Sequence, residues 1–519
     1  MQPRLYGSRT AGAALGLLAL GAGLAAAELV VALVNSAPSP VVAVGQAVID
    51  LVPPGVKDWA IAVFGTSNKL ALITGTLIIL AMLGALVGIL ATRGKRTSAF
   101  AMVGVVGVIG MLAVITRATS ALTDVLPTLF ATATTMAVLW WFTRTPSRLS
   151  GHPDAAETHR ASPMGLDRRS MLLGIAGVAA ASAAVGGVGR WLQRGAQVAS
   201  ERAGLILPTI RGERAQLPAT ADFDIDGLEP FITANDRFFR IDTALTVPQV
   251  SREAWRLRIH GMVDQELDLG FEDLSSRPQV ERYLTLACVS NDVGGRLIGN
   301  ALWQGVLLAD VLREAGVQPG ADQLVSRSVD GWTCGTPTQV VLDGRDALLA
   351  FGMNGEALPT QHGYPVRMVV PGLFGYVSAT KWLTEIELTT WDAFDAYWTT
   401  RGWSREGPVK TMARIDRPRR DRGWSSGPLE IAGVAWAIHR GVSSVQVRID
   451  EGEWLSAELA GVPSVDTWRQ WRLSWDALPG EHLIEARAID GNGVVQPSQR
   501  RSVAPDGAQG YHRVRVTVD

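Results

Sequence analysis

The chain has 519 residues, a formal net charge of −1 and two cysteines, Cys288 and Cys334. That length implies two to four domains. The near-neutral charge argues against a nucleic-acid surface, and two cysteines exclude both a disulfide scaffold and a Cys-x-x-Cys-His haem attachment. Hydrophobic residues make up 47% of the chain, and most of the long apolar runs precede residue 192. The tryptophans are distributed the other way: of 17, three precede residue 191.

Residues 11–34 are apolar except for Glu28, and 70–91, 99–115 and 125–142 are three further apolar runs. Each approaches or exceeds the roughly 20 residues a bilayer crossing needs, and four such runs within 150 residues are expected to be transmembrane helices. Residues 38–64 carry Asp50, Pro53, Pro54, Lys57 and Asp58, and read as a loop with an interfacial segment. Positive charge is placed in three groups: Arg4 and Arg9; Arg93, Lys95 and Arg96; Arg144, Arg148, Arg160, Arg168 and Arg169. Holding all three groups in the cytoplasm fits four alternating spans, with 35–69 outside. Glu28 is an acid deep in a span, which reads equally as a functional group or as a helix-bundle or interfacial contact. The four runs contain no histidine and so no haem-ligating histidine.

Residues 152–160 form a polar linker. Asp167-Arg168-Arg169-Ser170 then precedes an Ala/Gly-rich apolar run at 174–188. This resembles a twin-arginine export signal; an ordinary positive flank is the plainer reading. A fifth helix here is expected to carry the downstream chain out of the cytoplasm and to remain as its anchor.

Beyond this point the pattern is that of a folded domain. Residues 255–261 alternate and predict a strand, 271–274 open a short helix, and 283–288 form a strand that ends at Cys288. A thiol at a strand end, facing Gly294 and Gly295, reads as a soft-metal ligand, a nucleophile or a packed core residue. His362 and Arg367 flank Gly-Tyr-Pro, a spacing that reverses the chain and starts a strand with both side chains near one pocket. An arginine fork suits a phosphate. Taken singly, His362, Arg367 and Lys381 read also as a capping histidine, a surface arginine and a snorkelling lysine. Trp303 is a pocket wall or a core residue, and Cys334 is incidental. From residue 415 short alternating strands recur at 429–437, 444–449, 468–475, 482–488 and 512–518. Turn signals at 450–452 and 490–493 complete the pattern of an immunoglobulin-like sandwich.

Three motifs occur in order: Thr285-Leu-Ala-Cys288-Val-Ser-Asn291, Asn354-Gly-Glu-Ala-Leu-Pro-Thr-Gln-His362-Gly-Tyr-Pro-Val-Arg367, and Val370-Pro-Gly-Leu-Phe-Gly375 leading to Lys381-Trp382. With the β-rich C-terminus, they make the chain resemble the sulfite oxidase family of molybdopterin enzymes from about residue 231 onward. The apolar runs before residue 192 and the resemblance beyond residue 231 together imply a multi-domain architecture. Residues 1–150 would be a membrane domain of about four transmembrane α-helices. Residues 151–221 would hold the linker, the export motif, the fifth helix and a connector. An α+β molybdopterin-binding catalytic domain would occupy 222–407, and an all-β immunoglobulin-like dimerisation domain 408–519. The resemblance also implies a molybdenum–molybdopterin cofactor with Cys288 as the protein ligand to the metal. Asn235, Phe239, Arg240, Ser328, His362, Arg367, Thr380 and Lys381 would contact the cofactor, and Arg240 and Arg401 would orient the substrate. Arg240 stands one position from the family's arginine, and Thr400 stands where sulfite oxidases carry a pocket tyrosine. Tyr397 is three positions away.

The expected activity is oxygen-atom transfer on a small sulfur compound. With no haem or flavin motif in the chain, electrons would pass to or from a cytochrome or a membrane redox partner. A sulfoxide reductase and a non-catalytic receptor or scaffold are the two alternatives. A homodimer is expected, with the catalytic domain on the extracytoplasmic side.

Overall fold

The computed structural model describes residues 9–33, 39–53, 56, 59–60, 63–64, 68–116, 122–144, 195–210 and 214–519. The double arginine at 168–169, the apolar run at 174–188 and the flanking Arg4, Arg148 and Arg160 lie outside these residues. Two compact units divide the chain, Met1–Ala196 and Gln197–Asp519.

In the first unit, α1 spans Arg9–Leu33, α2 Pro40–Leu51, α3 Asn68–Thr92, α4 Arg96–Ile115 and α5 Leu126–Arg144. α1, α3, α4 and α5 are each long and apolar enough to cross a membrane. In lipid, a helix is the one local structure that satisfies every backbone N–H and C=O within the segment. α1 packs against α3 and α5. Its contact with α3 is built on glycine: Gly12 and Gly16 face Gly88 and Gly84, and a Cβ at Gly16 would fall on the Gly84 carbonyl oxygen. Small residues four apart let two backbones approach where no hydrophobic drive exists between helices.

The 38–64 segment differs from expectation. Pro40, with its pre-set φ, opens α2, and this helix packs against α3 and α4 instead of forming a loop. At 12 residues it is roughly 18 Å long, too short to span. The Glu28 carboxylate accepts a hydrogen bond from Ser39 Oγ at 2.7 Å. It therefore ties α1 to the residue that precedes α2, as the bundle-contact reading expects.

Among its described residues the second unit contains four sheets. One runs in the order Leu267–Gly270, Arg256–Gly261, Leu383–Thr389, Gln323–Ser328, Thr333–Pro337. Its Arg256–Gly261 and Leu383–Thr389 strands are parallel. A second sheet joins Val280–Ala287, Ile298–Leu307, Leu348–Met353 and Glu356–Ala357, with Arg367–Val369 also paired to Leu348–Met353. Leu348–Met353 is buried at every position. It therefore reads as a continuous apolar run and not as an alternation.

The other two sheets lie between residues 412 and 518. Four strands, Met412–Arg417, Gly427–Trp436, Arg469–Ala477 and Glu458–Leu459, oppose five, led by Val442–Ile449, Gly480–Asp490 and His512–Val518. Between the two sheets lies a core that includes Ile431, Val445, Trp471, Ile484 and Val516. Trp436, Ile438 and Trp468 belong instead to the core shared with the first two sheets.

Candidate active site

Val280–Ala287 delivers Cys288 to the wall of a cleft. Cys288 is 8% exposed, and burial pushes its thiol up. The cleft is also lined by Phe239, Ser328, His362, Arg367 and Lys381, residues that arrive from separate strands and loops. The sequence motifs therefore converge: five positions spread over about 140 residues share one cavity with the cysteine.

His362 ends a short turn of helix, Thr360–His362. Its Nε2–H donates to the Asn235 carbonyl at 2.9 Å. Burial pushes the imidazole down to about 4, so the ring is neutral at pH 7. With the proton on Nε2, Nδ1 is an acceptor.

Arg367 is buried over the Trp303 ring, 5.0 Å from its centroid. Its Nη1–H donates to the His362 carbonyl at 3.0 Å and its Nη2–H to Ala379 at 3.3 Å. Nε has no partner, and among the described residues no carboxylate pairs with the guanidinium. Burial alone pushes it down to about 9. Lys381 Nζ–H donates to Asp242 Oδ2 at 2.6 Å and to the Gln361 carbonyl at 3.2 Å. Burial outweighs that pairing and pushes the ammonium down to about 8. Ser328 Oγ is buried and has no partner among the described residues.

Four other sequence candidates take different places. Arg240 does not line the cleft; it pairs with Asp242 at 2.9 Å, the carboxylate Lys381 also uses. The Asn235 side chain accepts from Asn354 and donates to Glu356, so it braces the turn beside His362. Thr380 is fully buried, and its hydroxyl meets Ser326 Oγ at 2.6 Å. Arg401 is exposed, lies over the Tyr397 ring at 3.6 Å and donates to the Tyr397 carbonyl; neither it nor Thr400 lines the cleft. Trp303 has no exposure and serves as the platform under Arg367.

Sequence reasoning missed the aromatic wall. Tyr376, Trp398 and Trp403 line the cleft as a contact series, with Tyr376–Trp403 centroids 5.9 Å apart and Trp398–Trp403 6.3 Å apart. Trp332 and Trp382 line it as well. Tyr376 OH is committed to the Ser404 carbonyl at 2.6 Å. The crowding of tryptophan after residue 190 was the one available signal, and it does not say which indoles face a cavity.

A buried cation without a counter-ion is costly, and one at a cavity wall marks the place of an anion. An unpartnered hydroxyl and a thiol on the same wall add a hydrogen-bond donor and a soft ligand. The residues present thus fit a cofactor with a phosphate at one end and a thiolate-seeking metal at the other, as a pterin–molybdenum oxidoreductase requires. An oxidoreductase molybdopterin binding domain matches residues 244–398. The sulfite oxidase of Gallus gallus is 30% identical over 331 residues, which are 53% of this chain and 70% of that protein. Mitochondrial sulfite oxidase of Homo sapiens is 30% identical over 345 residues, 56% of this chain and 62% of that one. The solved structure of the sulfane dehydrogenase SoxCD from Paracoccus pantotrophus aligns at 26% identity and a TM-score of 0.49, over 56% of this chain and 84% of that one. The chain belongs to the sulfite oxidase family of molybdopterin-dependent oxidoreductases. It is an oxidoreductase, and its cofactor is the molybdenum cofactor.

Proposed function

We propose that the protein is a membrane-anchored molybdenum enzyme that transfers an oxygen atom to or from a small, uncharged sulfur compound, the sulfoxide–sulfide pair before the sulfite–sulfate pair. The observation that carries this reading is the cleft wall: Cys288 and the unpaired Arg367 share it with Tyr376, Trp398 and Trp403. Cys288 is the protein ligand to the metal. His362, Arg367 and Lys381 hold the pterin and its phosphate, Ser328 and Phe239 contact it, and Asn235 and Thr380 fix the elements around it. The bound cofactor supplies the two-electron oxo chemistry.

The chain's own residues decide what reaches the cofactor. An oxyanion is best held by free cations, and neither Arg240 nor Arg401 lines the cleft. Indole faces instead accept apolar substituents. Sulfite is the second reading, favoured by the 30% identity to two sulfite oxidases.

Reduction of a sulfoxide to a sulfide and water consumes two electrons and two protons, so a separate redox partner must supply the electrons. A cytochrome or a membrane protein is proposed. Four spans, with Arg9, the Arg93–Arg96 cluster and Arg144 on the cytoplasmic side, would anchor the enzyme. Export at the 168–169 pair would put residues 222–519 outside. The 408–519 segment is proposed as an immunoglobulin-like dimerisation domain beside a catalytic domain at 222–407.

Metal and pterin content of the purified protein, followed by turnover of an aryl methyl sulfoxide with a reduced viologen and of sulfite with ferricyanide, tests this. One molybdenum and one pterin per chain with sulfoxide turnover is the expected result. Sulfite turnover without sulfoxide turnover would overturn the substrate assignment.

A further inference from the structure

We propose that the C-terminal pair of sheets positions the metal ligand: Arg414 anchors the loop that follows Cys288, and the His512 ring is the stop against which that loop rests. The proposal rests on the reading of Cys288 as the ligand and adds to it a device that no cavity-lining residue provides.

The loop 288–297 closes on itself. Cys288 N–H donates to the Leu297 carbonyl at 2.9 Å, Asn291 N–H to the Cys288 carbonyl at 3.1 Å, and Leu297 N–H to Asn291 Oδ1 at 2.8 Å. These bonds fix the loop's shape and leave its position to outside contacts. Such contacts come from residues 414–512, on both sides of the cysteine.

Three residues before Cys288, Thr285 N–H donates to the Asp466 carbonyl at 3.0 Å, and Trp468 N–H donates to Thr285 Oγ1 at 2.8 Å. Beyond the cysteine, Arg414 Nη1–H donates to the Gly295 carbonyl at 3.2 Å. Arg414 is 2% exposed and is itself held by Asp416 through Nε at 2.6 Å and Nη2 at 3.2 Å, with Glu229 at 3.7 Å. Two carboxylates neutralise its charge, so it acts on the loop through geometry and not as a substrate cation.

Beside it, Gly294 has a φ of +83° and lies against His512, such that a Cβ would fall on the ring. The ring cannot easily yield, because its Nδ1 accepts the Ile415 N–H at 2.9 Å. No cleft-lining residue lies beyond Trp403. Residues 412–518 therefore act on the chemistry through the elements they touch, of which this loop and the strand before it carry Cys288 itself, and a metal site tolerates misplacement of roughly half an ångström.

The test uses the full-length protein, prepared loaded and, from a host that makes no cofactor, cofactor-free. In the cofactor-free protein the rate of iodoacetamide alkylation at Cys288 is read by peptide mass mapping, with the fully buried Cys334 as the internal control for global opening. Arg414→Met is expected to raise that rate about tenfold or more, as loss of a charge-assisted hydrogen bond implies, with Cys334 unmodified. In the loaded protein, kcat falls at unchanged KM and metal content, the thiolate-to-metal absorption band shifts, and Arg414→Lys restores part of both.

Should Arg414→Met open Cys334 as well, Gly294→Ala takes its place. It is expected to give the same changes, and His512→Ala in the same chain to reverse the part that the ring contact causes, the strain of a Cβ at positive φ remaining. Unchanged Cys288 alkylation, band and kcat in Arg414→Met, or no recovery in the double variant, overturns the proposal. Failure of the ligand reading is seen separately, as retained metal and turnover in Cys288→Ser.

Discussion

At the scale of single residues the site divides into what a motif can show and what only packing shows. Cys288, His362, Arg367 and Lys381 stand in the motifs that carry the family resemblance, so they could be singled out before any fold was known, whereas their types alone left a packed cysteine and surface cations open. Tyr376, Trp398 and Trp403 were not. Whether an indole faces a cavity or a core depends on elements far away in sequence, and alignment to a family tyrosine pointed instead to Thr400, which is outside the cleft. Cys288→Ser should leave the fold intact and reduce turnover to the level of a control without enzyme; measurable turnover would remove Cys288 as the ligand. Lys381 yields a pH prediction. Its ammonium is pushed down to about 8 before an anion arrives, and a bound phosphate raises it. A group whose pKa rises on binding favours binding fully below its free-state value and loses that contribution as pH rises above it. Retention of the pterin during gel filtration should therefore be constant from pH 6 to 7.5 and weaken above pH 8, by up to about tenfold in affinity per pH unit. Lys381→Met should abolish the step, and a step that survives this change would assign it elsewhere.

At the scale of elements, periodicity and length were sufficient guides wherever an element is either uniformly apolar or cleanly alternating. The expected spans at 70–91 and 99–115 lie within α3 and α4, and the 512–518 strand is found as His512–Val518. The 38–64 segment was legible only in part. Its charges and prolines suggested a loop, while Pro40 starts a helix and Val41 and Val44 face the bundle cleft. A 12-residue helix is marginal alone and depends on that packing. The α1–α3 crossing yields a sharper prediction. Gly16→Leu places a side chain where the Gly84 backbone runs, so the helices must separate. Overpacking of this kind costs about 1–3 kcal/mol or more. The variant should show faster proteolysis within the loops of the detergent-solubilised bundle, while Gly75→Leu, where a Cβ meets nothing within 4 Å, should not. Equal behaviour of the two variants would show that the glycine contact is not what joins α1 to α3.

At the scale of the molecule, the question is whether residues 197–519 behave as two domains or as one. The sequence changes character near residue 408, from mixed helix and strand to short alternating strands, which is why a boundary was expected there. Side-chain contacts run across it. Trp468 and Trp436 are buried in the core of the first two sheets, and Trp468 Nε1–H donates to the Phe231 carbonyl at 2.9 Å. Gln470 donates to Asp222 at 2.6 Å and to the Glu229 carbonyl at 2.9 Å. Cutting at 407 would expose those apolar surfaces to water, at roughly 25 cal/mol per Å² of apolar area, and would remove Trp468 and Gln470 as donors to the Phe231 and Glu229 carbonyls. Contacts of this density make unfolding cooperative. A 197–519 fragment loaded with cofactor should melt in a single calorimetric transition whose van't Hoff and calorimetric enthalpies agree, whereas 197–407 should aggregate on expression. Trp468→Ala should lower the whole transition, by about 3–5 kcal/mol for an aromatic removed from a core. It should not split the transition into two. Two resolved transitions, with the second unaffected by Trp468→Ala, would mean that the C-terminal sheets fold independently. Contact with the cysteine-bearing strand would then be a docking of finished domains and not part of one core.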